Sequence, residues 1–183
     1  MEADPEQIVV GAGNDFLLLL LCSLFGTGQT IAMESPTYKK AYDLFRNLSN
    51  QVRIVEMDES GMRVDLLEQT DARVAYVMPS HQFPLGKVMP VGRRMQLLAW
   101  AAAKEDRYII EDDYDSEFRY KGKPIPALQG YDRAERVIYI GTFSKSIAPA
   151  IRVSYLVLPK SLLALYRERG RVISSTVSRV DQR

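Results

Sequence analysis

The sequence predicts a three-layer α/β/α sandwich built on a mostly parallel, seven-stranded sheet. Three observations carry that expectation. Short runs rich in Val, Ile and Tyr alternate with longer helical patterns along the chain. Several of those runs are apolar on both faces, as strands covered by helices on each side must be. The 183 residues are 46% hydrophobic and 26% charged, which suits one globular domain with a substantial core.

Taken in order, the expected strands are Ile8–Val10, Thr30–Glu34, Val52–Met57, Val74–Met78, Tyr108–Asp112, Val137–Gly141 and Val153–Leu158. Helical patterns fill the intervals at Asp15–Phe25, Tyr38–Asn47, Val64–Gln69 and Val91–Glu105, and again in the tail from Ser161 to about Val180. Gly, Pro or charged residues bound most of the strands. No internal repeat or low-complexity linker interrupts the alternation. Met1 stands almost directly before the first strand, and the last helical stretch reaches Arg183 without a Gly or Pro stop. That pattern predicts a piece of a longer chain.

Composition excludes several classes. A net charge of +1 supplies no global field for nucleic acid or an anionic membrane. The basic cluster Arg167–Arg171 is interleaved with apolar residues and Glu168, as a solvated helix face is. One cysteine, Cys22, cannot form an internal disulfide, so a reducing, cytoplasmic setting is expected and Cys22 reads as a packing residue. The apolar run Phe16–Phe25 is too short to span a bilayer. The N terminus lacks the basic and apolar regions of a signal peptide.

Four segments carry chemistry, and their order matters more than any one of them. Gly11-Ala12-Gly13-Asn14 follows a strand and opens a helix, where glycines permit close backbone approach and unpaired N–H groups attract an anion. Phe16 and Leu17 stand where the third glycine of a dinucleotide fingerprint belongs, which disfavours that class. Glu111-Asp112-Asp113-Tyr114 ends an apolar strand, and the i, i+2 spacing sends Asp112 and Tyr114 to one side. Such carboxyl strand ends are where open α/β sheets bind ligands. A solvated acidic loop or a carboxylate-only Mg2+ site is the other reading; with His81 as the single histidine, no metal site is expected. Gly141-Thr142-Phe143-Ser144-Lys145-Ser146 sets a lysine among small hydroxyl residues after a strand, where partial burial lowers an amine's pKa. Arg152, seven positions later, suits bidentate phosphate contact.

Together these segments resemble the pyridoxal-phosphate (PLP) dependent aminotransferases of fold type I, across essentially the whole chain. Thr142-x-Ser144-Lys145 with Pro149-x-x-Arg152 resembles their Schiff-base lysine segment, and Asp112-x-Tyr114 their pyridine-ring pair. Pro79–Gly86 resembles the loop that passes the cofactor, and Glu34-Ser35-Pro36-Thr37-Tyr38 the segment with the ring-stacking aromatic. The sequences around His81-Gln82-Phe83-Pro84, Glu111–Tyr120 and Tyr139–Ser146 resemble more closely the effector domain of MocR-type (GabR-like) regulators of the GntR family.

The resemblance implies a division of labour. Lys145 would hold PLP as an aldimine and exchange it with an incoming amine. Asp112 would face the pyridine nitrogen, Tyr114 would donate to the ring hydroxyl, and Tyr38 would stack on the ring. Gly13, Asn14, Thr142, Ser144 and Arg152 would form the phosphate cup, with His81 in the cofactor loop. It also implies a homodimer, a large-domain core over residues 1–160, and the start of an interdomain helix over 161–183. A winged helix-turn-helix domain that binds DNA and a small C-terminal domain would lie outside this chain. The sequence departs from ordinary aminotransferases at Phe83-Pro84-Leu85-Gly86, which replaces Asn-Pro-Thr-Gly. Lys40 replaces the arginine that grips the effector carboxylate in a GABA-sensing relative, and Ser154 replaces a frequent glycine. The expected function is effector sensing of an amine or amino acid; a catalytically active class I/II aminotransferase is the alternative.

Overall fold

A computed structural model describes residues 3–113, 126–143, 152–170 and Val177. Within them the chain runs β1 (Ile8–Gly11), α1 (Asn14–Phe25), β2 (Thr30–Ser35), α2 (Lys39–Asn47), β3 (Gln51–Asp58), β4 (Gly61–Met62), α3 (Val64–Leu67), β5 (Val74–Val77), α4 (Val91–Ala102), β6 (Tyr108–Asp112), β7 (Val137–Thr142), β8 (Ser154–Val157) and α5 (Leu163–Arg169). The strands form one sheet in the order β1-β8-β7-β6-β5-β2-β3-β4.

All seven expected strands are present, and the described residues add an eighth. β4 is only two residues long, so it carries no readable apolar run. It folds back antiparallel on the end of β3, with Met57 opposite Met62. The turn between them is closed by the Ser60 N–H donating to Asp58 Oδ1 at 2.7 Å. The ladders β2·β3, β2·β5, β5·β6 and β6·β7 are parallel. β8 runs antiparallel to both its neighbours. The helical tail begins later than expected: Lys160–Leu162 is a single 3-10 turn, and α5 starts at Leu163.

Side chains alternate across the strands and create two cores. On one face Ile31, Met33, Val74, Tyr76, Ile110, Ile140 and Leu156 pack against Leu17, Leu18, Leu20, Leu21 and Leu24 of α1 and Phe45 of α2. On the other, Ala32, Ala75, Val77, Ile109 and Val137 meet Leu67 of α3 and Leu97, Trp100 and Ala101 of α4. Each α1 leucine so buried stabilises the fold by roughly 1.5–3 kcal/mol. This is the three-layer sandwich the alternation implied. No helix among the described residues is long and apolar enough to cross a membrane.

The topology decides where chemistry can collect. β1, β2, β5, β6 and β7 share one direction, so their carboxyl ends lie on one edge. β8 enters at that edge because it is reversed, and Ser154 pairs with both Gly11 and Thr142. The order of the strands also breaks between β1 and its sequence neighbour β2, which lie at opposite sides of the central ladder. Such switch points hold ligands in open α/β sheets.

Candidate functional site at the carboxyl edge

The centre of this edge is Asp112, the last residue of β6. Its side chain shares a face with Ile110 and is buried beside α1. The Tyr76 hydroxyl on the neighbouring β5 donates to Asp112 Oδ2 at 2.5 Å. From the first residue of α1, the Asn14 amide donates to Oδ1 at 3.2 Å and Oδ2 at 3.4 Å. Burial pushes the Asp112 carboxyl up to about 6, with the adjacent Asp113 adding to the rise, while the bonds from Tyr76 and Asn14 oppose it. Among the described residues no lysine or arginine pairs with it.

Asp113 faces the other way, as strand alternation requires. The Tyr139 hydroxyl donates to its Oδ2 at 2.5 Å. Glu111, on that same far face, is fully buried. It accepts the N–H groups of Leu128 and Gln129 at 2.7 and 2.9 Å. The acidic run is therefore neither a solvated loop nor a carboxylate cluster; its three members have separate partners.

A candidate anion site lies beside Asp112. Gly13 has φ +88°, a conformation open to glycine. A Cβ placed there would come within 3.1 Å of Arg152 Nη2. The Arg152 guanidinium thus lies over the turn at the start of α1, whose first N–H groups have no partner within the helix. Arg152 itself has φ +48°. Asp15, the second residue of α1, takes an ion pair from Lys40 of α2, and its Oδ2 lies 3.7 Å from Arg152 Nη2. Thr142 ends β7 at the same edge, and the Ser154 and Thr142 hydroxyls are 3.0 Å apart.

Two loops close the edge from β2 and β5. Tyr38 precedes α2 and meets Phe83 edge-on, with ring centroids 5.9 Å apart. Gln82 is buried, donates to the Pro36 carbonyl at 2.8 Å and accepts the Leu85 N–H at 3.2 Å. It ties one loop to the other, whereas His81 beside it is exposed. Peptides Ser35-Pro36 and Phe83-Pro84 are both cis. The structure thus brings Gly13, Asn14, Tyr38, Asp112, Thr142 and Arg152 to one edge. The Asn14 side chain donates to Asp112. Tyr114, Ser144 and Lys145 lie outside the described residues.

Sequence reasoning missed Tyr76 and Arg94. Arg94 of α4 is fully buried. It donates to the carbonyls of Met89, Pro126 and Pro79 at 3.0, 2.9 and 2.8 Å, fixing both ends of the loop that carries Gln82.

A buried carboxylate next to an arginine over a helix N terminus is a donor set that would suit a phosphorylated pyridine. The comparisons agree. The sequence profile of the family "Aminotransferase class I and II" matches residues 1–182. The HTH-type transcriptional regulator YdeL of Bacillus subtilis is 45% identical over 174 residues, covering 95% of this chain and 37% of YdeL. The probable rhizopine catabolism regulatory protein MocR of Rhizobium meliloti is 35% identical over 177 residues, covering 96% of this chain and 35% of that protein. The structure of the α-aminoadipate aminotransferase LysN from Thermus thermophilus, complexed with N-(5'-phosphopyridoxyl)-L-leucine, superposes with a TM-score of 0.82 at 29% identity, covering 94% of this chain and 46% of that one. The chain thus spans little more than a third of the regulators it matches. The groups at its own edge would suit a phosphopyridoxyl group: Arg152 lies over the Gly13 turn and Asp112 offers a buried carboxylate. On fold and sequence alike, the chain belongs to the aminotransferase class I and II family, whose cofactor is pyridoxal 5'-phosphate.

Proposed function

We propose that the chain is the PLP-binding core of a MocR-type transcriptional regulator, in which an amine or amino acid acts as effector. The observation that carries the cofactor part is Asp112: a buried carboxylate held by Tyr76 and Asn14, with the Arg152–Gly13 anion site beside it. The regulatory part is supported by the likeness to YdeL and MocR along nearly the whole chain. The remaining length of those relatives leaves room for a winged-helix DNA-binding part and a small C-terminal domain in the intact protein. In this reading residues 1–160 form the large-domain core and 161–183 lead toward the small domain.

When bound, PLP supplies an electrophilic carbon that condenses reversibly with primary amines. The chain's own groups do the rest. Arg152 and the first turn of α1 hold the phosphate by charge-assisted hydrogen bonds, with Thr142 and Ser144 alongside. Asp112 keeps a proton on the ring nitrogen, and Tyr114 donates to the ring hydroxyl oxygen. Tyr38 covers one ring face, and His81 borders the site from the β5 loop. Lys145 provides the amine that holds the cofactor and yields to the effector. Two copies of the chain complete the site as a homodimer.

The test uses the intact protein. Borohydride should fix PLP on Lys145, and Lys145→Ala should abolish the labelling while leaving the fold intact. Labelling of another lysine would overturn the assignment. An added amine or amino acid that releases Lys145 should also change the affinity for operator DNA. A catalytic aminotransferase is the second reading, favoured by the likeness to LysN. It predicts net amino transfer to a keto acid, with no effect of amines on DNA binding.

A further inference from the structure

Tyr76 has a role that neither the sequence motifs nor the comparisons assign. It lies in the middle of a core strand, with its ring fully buried and set edge-on to Phe45, ring centroids 5.8 Å apart. Phenylalanine would fill that place without an added cost. A buried hydroxyl costs free energy unless it finds a partner, and Asp112 Oδ2, at 2.5 Å, is the acceptor it finds. The register explains the meeting: Tyr76 pairs with Ile110, two residues before Asp112 on the same face of β6, which is the diagonal reach of a long side chain across a parallel ladder.

The other groups around Asp112 do not do the same work. Asn14 reaches both oxygens, but at 3.2 and 3.4 Å and from one amide nitrogen. Asp113 lies one residue on, points to the opposite face and opposes ionisation of Asp112. Around Tyr76 itself, Tyr38 and Glu34 are the further titratable groups, and both oppose loss of its proton, as does Asp112. Tyr76 therefore remains a donor throughout the working pH range. Its short bond occupies Oδ2 and, among the described residues, leaves Oδ1 with the longer bond from Asn14.

We propose that Tyr76 is a positioning residue for the cofactor's ring: its hydroxyl keeps the Asp112 carboxylate ionised and turned so that Oδ1 serves the pyridine nitrogen. This rests on the reading that Asp112 faces that nitrogen. Tyr76 touches neither ring nor reacting atoms in this scheme and acts wholly through Asp112.

The experiment is a PLP titration of the intact protein by visible absorbance between pH 5 and 9, with melting temperature measured alongside. The phosphate's own titration is common to every variant and cancels in the comparison. In the parent protein, affinity should weaken below a break near the Asp112 value of about 6. Tyr76→Phe removes a bond that favours the ionised carboxyl, so the break should move up by about one pH unit, with affinity at pH 7 falling several-fold to about tenfold. In place of Tyr76, 3-fluorotyrosine keeps the shape and makes a stronger donor, so the break should move down; it also covers the case in which Tyr76→Phe fails to fold. Asp112→Asn should bind weakly with no Asp112-dependent break, and adding Tyr76→Phe to it should change affinity by less than about twofold.

A Tyr76→Phe protein that melts lower but keeps the parent's break would overturn the proposal, as would a break unmoved by fluorotyrosine. If Asp112→Asn instead binds PLP with the parent's affinity and pH profile, the underlying reading of Asp112 fails, whatever Tyr76→Phe does.

Discussion

The Arg94 guanidinium lies 3.9 Å from the Glu111 carboxylate, and both side chains are fully buried. The pair joins α4 to β6 beneath the candidate site, on the face away from Asp112. Arg94 spends its shorter bonds on the carbonyls of Met89, Pro79 and Pro126. Glu111 takes the Leu128 and Gln129 N–H groups. Three chain segments are thereby fixed by two side chains.

Arg94→Met should therefore destabilise severely. It removes a donor from the carbonyls of Met89, Pro79 and Pro126, of which Pro79 keeps the Met89 N–H, and leaves Glu111 without its cation. Breaking one side of a buried pair costs about 3–5 kcal/mol. Urea unfolding of the intact protein should show that loss, while Arg93→Met should cost much less. Arg93 is Arg94's neighbour on α4, and it is directed to Asp58 and to the carbonyls of Gly61 and Met62. Equal losses at the two positions would refute the distinction.

That contrast shows what a sequence does and does not carry. The seven principal strands were readable because each is a β-branched or aromatic run bounded by breakers, and the single sheet edge follows from their shared direction. Arg93 and Arg94 look alike in sequence, since burial of one depends on the rotational phase of α4 by a single residue. Tyr76 reads as an ordinary strand former; its partnership with Asp112 depends on the register of β5 against β6, which no local pattern encodes. The place of Asn14 at the start of a helix was legible from its position after Gly13. Its side chain's turn toward Asp112 was not, because that bond spans 98 residues. β4 is too short to leave any periodic trace.

Glu34 gives a pH prediction. It is buried at the end of β2, and its Oε1 has no hydrogen-bond partner among the described residues. Burial pushes its carboxyl up from 4.5 to about 7, against weaker support from the Met78 and Met62 backbone and Gln82. An acid whose folded pKa is raised holds its proton longer in the folded state. Stability is thus unaffected below pH 4.5, falls as pH rises through about 7, and stays low above it. A shift of this size corresponds to roughly 3 kcal/mol. Glu111, also raised to about 7, contributes a slope of the same sign. Glu34→Gln should flatten the pH 5 to 7 portion of the stability curve and be more stable than the parent at pH 8. An unchanged slope in urea unfolding series would count against a buried, ionising Glu34.

Gly141 is held by a different constraint. A Cβ there would come within 2.4 Å of the Tyr155 ring, which also packs on Phe143, with centroids 5.3 Å apart. Gly141→Ala must displace that ring and disturb the end of β7 just before Thr142. Overpacking of this kind costs about 1–3 kcal/mol. A double variant, Gly141→Ala with Tyr155→Leu, should recover part of the loss in melting temperature. Failure of the smaller side chain to rescue would show that the conflict lies elsewhere.

The proposed anion site can be tested from both of its sides. Gly13 holds φ +88°, and any side chain there is strained by about 1–3 kcal/mol. The same Cβ presses on Arg152 Nη2 at 3.1 Å, so Gly13→Ala should both lower stability and shift the guanidinium. Arg152→Gln leaves the backbone alone and removes only the charge and the fork. A charge-assisted bond contributes about 1.5–3 kcal/mol, so its loss should weaken PLP binding roughly tenfold to a hundredfold. Pyridoxal, which lacks the phosphate, separates the two effects in the intact protein. Arg152→Gln should weaken PLP strongly and pyridoxal hardly at all, whereas Asp112→Asn should weaken both, since the ring is common to them. Asp15→Asn should move PLP affinity the other way: it removes a carboxylate that competes with the phosphate for Arg152, 3.7 Å away. Parallel titrations with the two compounds decide the matter, and an Arg152→Gln protein that loses pyridoxal and PLP equally would remove Arg152 from the phosphate site.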